Sequence, residues 1–133
     1  MLPDPIRQAI EAHARWVFPH EACGLIASNA DGELRMAYCL TNIEHDPSRY
    51  TIDPVEHFAA QAHAERNGWL ITGAFHSHPH SAAIPSAHDV AGALDPNWTY
   101  VIAGPVGEQV PIKAFRIRAG IVTEIEIEEA VMR

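Results

Sequence analysis

The stretch "GAFHSHPHSAAIPSAHD", Gly73–Asp89, places four histidines and an aspartate within seventeen residues. The apolar run "WLIT" enters it and the helix-like run "HDVAGAL" leaves it. His76 and His78 are two residues apart. On a strand that period puts both side chains on one face. They come at the end of an apolar strand, where the chain leaves the core and side chains reach a cleft. Pro79 then ends the strand, because it cannot donate to the ladder. The chain loops through "HSAAIP" and starts a helix at Ser86, with Asp89 three residues on. If the loop folds back, Asp89 reaches the same point as the two imidazoles. Two histidines and one carboxylate leave a fourth position open for water, the pattern of a catalytic rather than a structural zinc site. Zinc lowers the pKa of such a water to about 7.

The same letters carry a second reading. Ser86-Ala87-His88-Asp89 is a capping box, with serine at the N-cap and an acid three residues on. In that reading Asp89 satisfies a backbone N–H, and it has to turn away from its own helix end to bind zinc. Short motifs match readily by chance, and spacing alone leaves both readings open.

The rest of the chain limits what can surround this segment. Its 133 residues suit one domain, 1–133, and 47% hydrophobic content suffices for a core. Nine basic against seventeen acidic residues give a formal charge of -8, with part of the excess in "TEIEIEE", Thr123–Glu129. Nucleic acid and anionic membrane both call for a basic face, so neither fits as the main partner. No apolar run is long enough to span a bilayer, and "MLPDPIRQAI" does not read as a signal peptide. Cys23 and Cys39 make neither a disulfide framework nor a four-cysteine zinc site, so a reduced, cytoplasmic protein is expected.

Periodicity predicts a helix over Pro5–Val17, with Ile6, Ala9, Ile10, His13, Ala14 and Val17 on one face. "ACGLIAS" reads as a buried strand, "NADG" as a turn and "ELRMAYCL" as a second strand. A loop follows, with a short extended piece near Tyr50–Ile52. Asp53, Pro54 and Glu56 supply an N-cap, a first-turn proline and a capping-box acid for a helix to about Asn67, stopped by Gly68. "WLITGAFHSH" is a central strand, and "WTYVIAG", "PIKAFRIR" and "IVTEIEIE" are three more, the last two joined at Ala119-Gly120. About six strands and three helices in mixed order make a mixed α/β layered fold with a central sheet.

"HSHPHSAAIPSAHD" has the form H-x-H-P-x6-S-x2-D, which resembles the signature of the JAMM (MPN+) zinc metallopeptidases. The family also carries a glutamate at the edge of an early strand, a place held by Glu21 in "PHEACGLIA". The likeness covers most of the chain and is nearest to short bacterial members of the CysO–cysteine peptidase type. The resemblance implies that His76, His78 and Asp89 bind one Zn2+ per chain. It implies that Glu21 takes a proton from the attacking water and passes it to the leaving amine. It implies that Ser86 donates to the developing oxyanion. The implied partner is a small ubiquitin-like or sulfur-carrier protein with a C-terminal Gly-Gly, and the implied layering is like that of cytidine deaminases. A homodimer is left open.

Other residues take plainer roles. Ser77 faces the other side of the strand and is structural. Cys23 and Cys39 are expected in the core, Cys23 with some prospect of lining the site. His80 and His88 face solvent, His80 within reach of substrate. His13, His20, His45, His57 and His63 receive no chemistry, and Trp69 and Trp98 are packing residues. The chain lacks room for the long insertions of deubiquitinating relatives. A non-catalytic MPN-type scaffold is the competing reading, although such relatives lose ligands and all five positions are filled here. A nucleoside deaminase needs a later C-x-x-C, which the chain lacks.

Overall fold

The computed structural model describes residues 2–126. Helix α1 (Asp4–Val17) leads into β1 (Cys23–Ser28) and β2 (Leu34–Leu40). Then come α2 (Pro54–Arg66), β3 (Leu70–Ser77), α3 (Ala87–Gly92), β4 (Thr99–Ala103), β5 (Ile112–Arg118) and β6 (Ile121–Ile125). The six strands form one sheet in the order β2-β1-β3-β4-β5-β6. Only β3 and β4 run parallel; the other neighbours are antiparallel. The parallel pair requires a crossover, and the loop with α3 that follows the histidines supplies it. The mixed sheet with three helices is the architecture expected. The last residues of the sixth expected strand, and of the acidic tail, lie outside the described residues.

Alternation along the strands sorts the core into layers. Ile6, Ile10 and Ala14 of α1 pack with Ile26, Phe75, Val101 and Ala103. The neighbouring residues Leu25 and Ala74 turn the other way and pack with Ala60 of α2. Ile102, Phe115 and Ile117 meet Val90 and Ala93 around α3. The sheet therefore lies between α1 and the pair α2 and α3. Period two puts His76 on the side of Ala74, facing α2 and α3, and Ser77 on the opposite side.

Local chemistry sets the ends of the elements. The Asp53 carboxylate accepts the N–H groups of Val55 and Glu56 at 2.8 and 3.3 Å, capping α2. Glu56 does not complete the expected capping box. Its carboxylate instead accepts the Thr41 N–H and hydroxyl at 2.6 and 2.9 Å, tying α2 to the end of β2. The extended piece before α2 is a single bridge between Asn42 and Ile52. The β5–β6 hairpin turns at Ala119 and Gly120, both with positive φ (50° and 79°), as a tight primed turn demands.

Cys39 departs from expectation. It is exposed, on the edge strand β2, with its thiol toward the Ala9 carbonyl. An edge strand covered on one side only leaves alternate residues open. Trp98 packs against the α2-side core. Among the described residues no helix is long and apolar enough to cross a membrane.

Candidate metal centre

Strand β3 delivers His76, and His78 lies one residue past the strand end; both are buried, at 5% and 6% exposure. The His78 N–H donates to the Ala103 carbonyl at 2.8 Å and holds the chain beside β4 for one residue more. A Cβ on Gly104 would collide with the His78 carbonyl, so only glycine admits this approach. Pro79 then releases the chain into the loop.

Three ligand atoms converge. His76 Nε2 and His78 Nε2 are 3.2 Å apart. Asp89 Oδ2 lies 3.2 Å from the first and 3.0 Å from the second. Ligands about 2.0–2.1 Å from a tetrahedral zinc stand about 3.3 Å from one another, close to this triangle. The donor chemistry fits as well. The Ala82 carbonyl can only accept, so His78 Nδ1, 2.8 Å away, carries the hydrogen. With that hydrogen on Nδ1, Nε2 offers a lone pair to a metal when the ring is neutral and carries a hydrogen toward Asp89 when the ring is protonated. His76 is oriented differently, by stacking on Tyr50 with ring centroids 4.9 Å apart and planes 25° from parallel. The three residues form a group able to hold a metal ion.

Capping does not turn Asp89 away from the two imidazoles. The same Oδ2 accepts the Ser86 N–H at 2.9 Å while pointing at both imidazoles. The expectation that Asp89 must turn away from its helix end is corrected: the capping box is complete, and its geometry delivers the carboxylate to the triad. Burial alone would raise the Asp89 pKa, but hydrogen bonds from His76 and His78 outweigh it and hold the carboxyl well below the usual range. Burial likewise works against a charged His78, and Asp89 with the Ala82 carbonyl reverses the balance upward.

Glu21 stands two residues before β1 and is 4% exposed, and its Oε1 is buried without a hydrogen-bond partner. Burial pushes its pKa up to about 8, the His78 charge opposing and those of Asp89 and Asp46 adding. Ser86 is exposed at the start of α3, and its hydroxyl accepts the Asp89 N–H at 3.1 Å. Its own proton remains free to donate. A cleft of about 330 Å³ opens over the centre, lined by His76 and Asp89, Tyr50 and Ile52, His88 and Tyr100.

The remaining sequence candidates fall away from the triad. Ser77 is fully buried, and its hydroxyl accepts the Ala22 N–H at 2.7 Å. Cys23 is fully buried, and burial pushes its thiol up to about 12, so it is a core residue and no nucleophile. His80 is exposed against the edge of Phe18. Tyr50 and the Ala82 carbonyl escaped sequence reasoning. Both act through a loop conformation for which spacing gives no sign.

Residues 3–118 match the family described as prokaryotic homologs of the JAB domain. The chain belongs to the JAMM/MPN+ family. It is 34% identical over 107 residues to the desampylase of Haloferax volcanii, covering 76% of this chain and 77% of that one. It is 31% identical over 118 residues to the CysO-cysteine peptidase of Mycobacterium tuberculosis, covering 87% and 81%. The solution structure of a protein from Desulfitobacterium hafniense superposes with a TM-score of 0.83 at 35% identity, over 93% of this chain and 88% of that one. The chain is accordingly a hydrolase of the JAMM metallopeptidase type, and the scaffold reading is set aside.

Proposed function

We propose that this JAMM enzyme is a zinc peptidase or isopeptidase. In this reading it cleaves the bond after the C-terminal Gly-Gly of a small ubiquitin-like or sulfur-carrier protein. The observation that carries the reading is the convergence of His76, His78 and Asp89 on one point, within electrostatic reach of Glu21, whose buried Oε1 has no hydrogen-bond partner. The names of the relatives, a desampylase and a CysO-cysteine peptidase, support the substrate class.

His76, His78 and Asp89 hold the metal. Bound there, zinc supplies a Lewis acid and an activated water at neutral pH. Glu21 accepts the proton of the attacking water at its carboxylate and returns it to the leaving amine. Its burial suits that task, since a carboxyl withdrawn from bulk water is free to exchange a proton with the reacting groups beside it. The Ser86 hydroxyl, anchored by the Asp89 N–H, donates to the oxygen of the carbonyl under attack as charge gathers on it. The carrier tail lies in the cleft between Tyr50 and α3, where glycine lets a backbone come close. We take the chain as one catalytic domain acting in the cytoplasm, in keeping with two free thiols.

The test is mass spectrometry of carrier–adduct fusions incubated with the protein, with and without added zinc. Release of intact carrier ending in Gly-Gly, lost on chelation, is the expected result. No cleavage across a broad panel of carriers, or cleavage at internal sites, would sink the reading.

A further inference from the structure

Glu21 has an unusual problem of placement. Its carboxyl has an oxygen with no partner, so its own hydrogen bonds do not hold it in position. Its backbone does so instead. The Glu21 N–H donates to the Asp46 carbonyl at 2.9 Å, and its carbonyl accepts from Asn42 Nδ2 at 3.1 Å. Both partners belong to the segment between β2 and α2.

The Asn42 amide does more than this. It is 8% exposed. Nδ2 also donates to the Arg49 carbonyl at 3.1 Å. Oδ1 accepts the N–H of Glu44 at 3.0 Å and of Thr51 at 3.1 Å. Two donations and two acceptances exhaust what one amide can make. Arg49 and Thr51 flank Tyr50, the residue whose ring stacks on His76. One buried side chain therefore grips Glu21 and the peptides on both sides of the ring that orients a metal ligand.

We propose that Asn42 is a positioning residue that sets Glu21 and the Tyr50–His76 stack in register with each other. It touches neither substrate nor metal and acts through those two residues. Buried amide networks of this kind are rigid when fully satisfied. Outer partners of metal ligands govern affinity and activity about 10–100-fold. The Glu21 arm rests on the peptidase reading above; the Tyr50 arm does not, because it concerns metal binding alone.

Asn42→Asp keeps the two acceptances and loses both donations. Asn42→Ser, without the added charge, serves where Asn42→Asp fails to fold. Tyr50→Leu removes the stack and leaves the amide in place. Zinc affinity is read by competition with a chromophoric chelator, turnover with a carrier–adduct fusion, and folding by circular dichroism. The folded Asn42 variants are expected to bind zinc about tenfold more weakly and to lose about 10–100-fold in kcat. Tyr50→Leu should repeat the zinc loss. On a Glu21→Gln background the Asn42 change should lower residual turnover by less than about threefold, since residues acting as one unit are not additive. The full loss repeated on that background overturns the proposal. So does zinc affinity within about twofold of the parent in a folded Asn42 variant or in Tyr50→Leu. If the parent cleaves no fusion, the peptidase reading fails, and the zinc measurements alone decide the role of Asn42.

Discussion

Asp89 Oδ2 accepts the Ser86 N–H at 2.9 Å, and the same oxygen completes a triangle with His76 and His78. The start of α3 is thus part of the candidate metal centre. The capping box restrains the Asp89 carboxylate at the start of a helix of only six residues.

This dual role separates two effects of Asp89→Asn. An amide oxygen can still accept the Ser86 N–H, but it brings no charge to the centre. Zinc affinity should fall by at least about 100-fold. The metal-free protein should keep its fold, because the cap survives, while losing the stability that the ionised carboxylate draws from His76 and His78. Chelator competition and thermal melts in excess chelator read the two quantities independently. A parallel collapse of both would mean that Asp89 serves mainly the fold.

Ser86 carries two duties of its own, and a pair of variants divides them. Ser86→Ala removes the N-cap acceptor, worth about 1 kcal/mol, together with the proposed oxyanion donor, worth about 100–1,000-fold in kcat. Ser86→Asp restores a good N-cap acceptor and has no proton to donate at neutral pH. Stability should recover in the second variant and turnover should not. Recovery of turnover alongside stability would reduce Ser86 to a cap.

The raised pKa of Glu21 predicts a pH dependence whose sign is fixed. The group ordinarily titrates near 4.5 and is pushed up to about 8 in the folded protein. Between those values the folded state binds the proton more tightly than the unfolded state. The contribution of the neutral carboxyl is therefore fully present below about pH 4.5 and is lost as pH rises through about 8. Glu21→Gln stays neutral throughout. In metal-free protein the stability of Glu21→Gln relative to the parent should grow from pH 5 to pH 9, by an amount on the order of a few kcal/mol. Comparing the two proteins by denaturant titration cancels the titrating groups that Glu21 does not feel, leaving Glu21 with its coupled neighbours His78, Asp89 and Asp46. A difference that stays flat with pH would show that Glu21 is hydrated in solution. In zinc-loaded protein the same variant should keep its metal and lose about 100–10,000-fold in turnover.

Much of this centre is legible in the chain, and the reason is local. His76 and His78 obey the strand period, Ser86 and Asp89 obey the capping box, and both rules act over a few residues. Glu21 is different. Its neighbourhood to His78 comes from the antiparallel pairing of β1 with β3, in which Cys23 stands opposite His76. No local pattern announces that pairing, and only the family signature supplied it. Asn42 and Tyr50 lie further out of reach. A buried asparagine in a loop reads like any turn residue, because its value lies in four partners spread over the folded segment. Cys39 misleads for the opposite reason: its letter favours burial, and its place on an edge strand prevents it.

Gly104 offers a last prediction, at a residue that touches no ligand atom. Its Cα faces the His78 carbonyl so closely that any Cβ would overlap it. Backbone cannot yield as a side-chain tip can, so Gly104→Ala must separate the end of β4 from the chain at His78. The bond from the His78 N–H to the Ala103 carbonyl is the contact that gives way. His78 then shifts relative to His76, which is held on β3 and by Tyr50. A shift of well under 1 Å spoils a triangle whose sides are 3.0–3.2 Å. Zinc affinity should drop about 10–100-fold, and stability by about 1–3 kcal/mol as in other overpacked sites. Isothermal titration with zinc and a denaturant melt in excess chelator measure the two. A variant that loses stability but binds zinc as the parent does would mean that the His78 backbone moves without carrying its imidazole along.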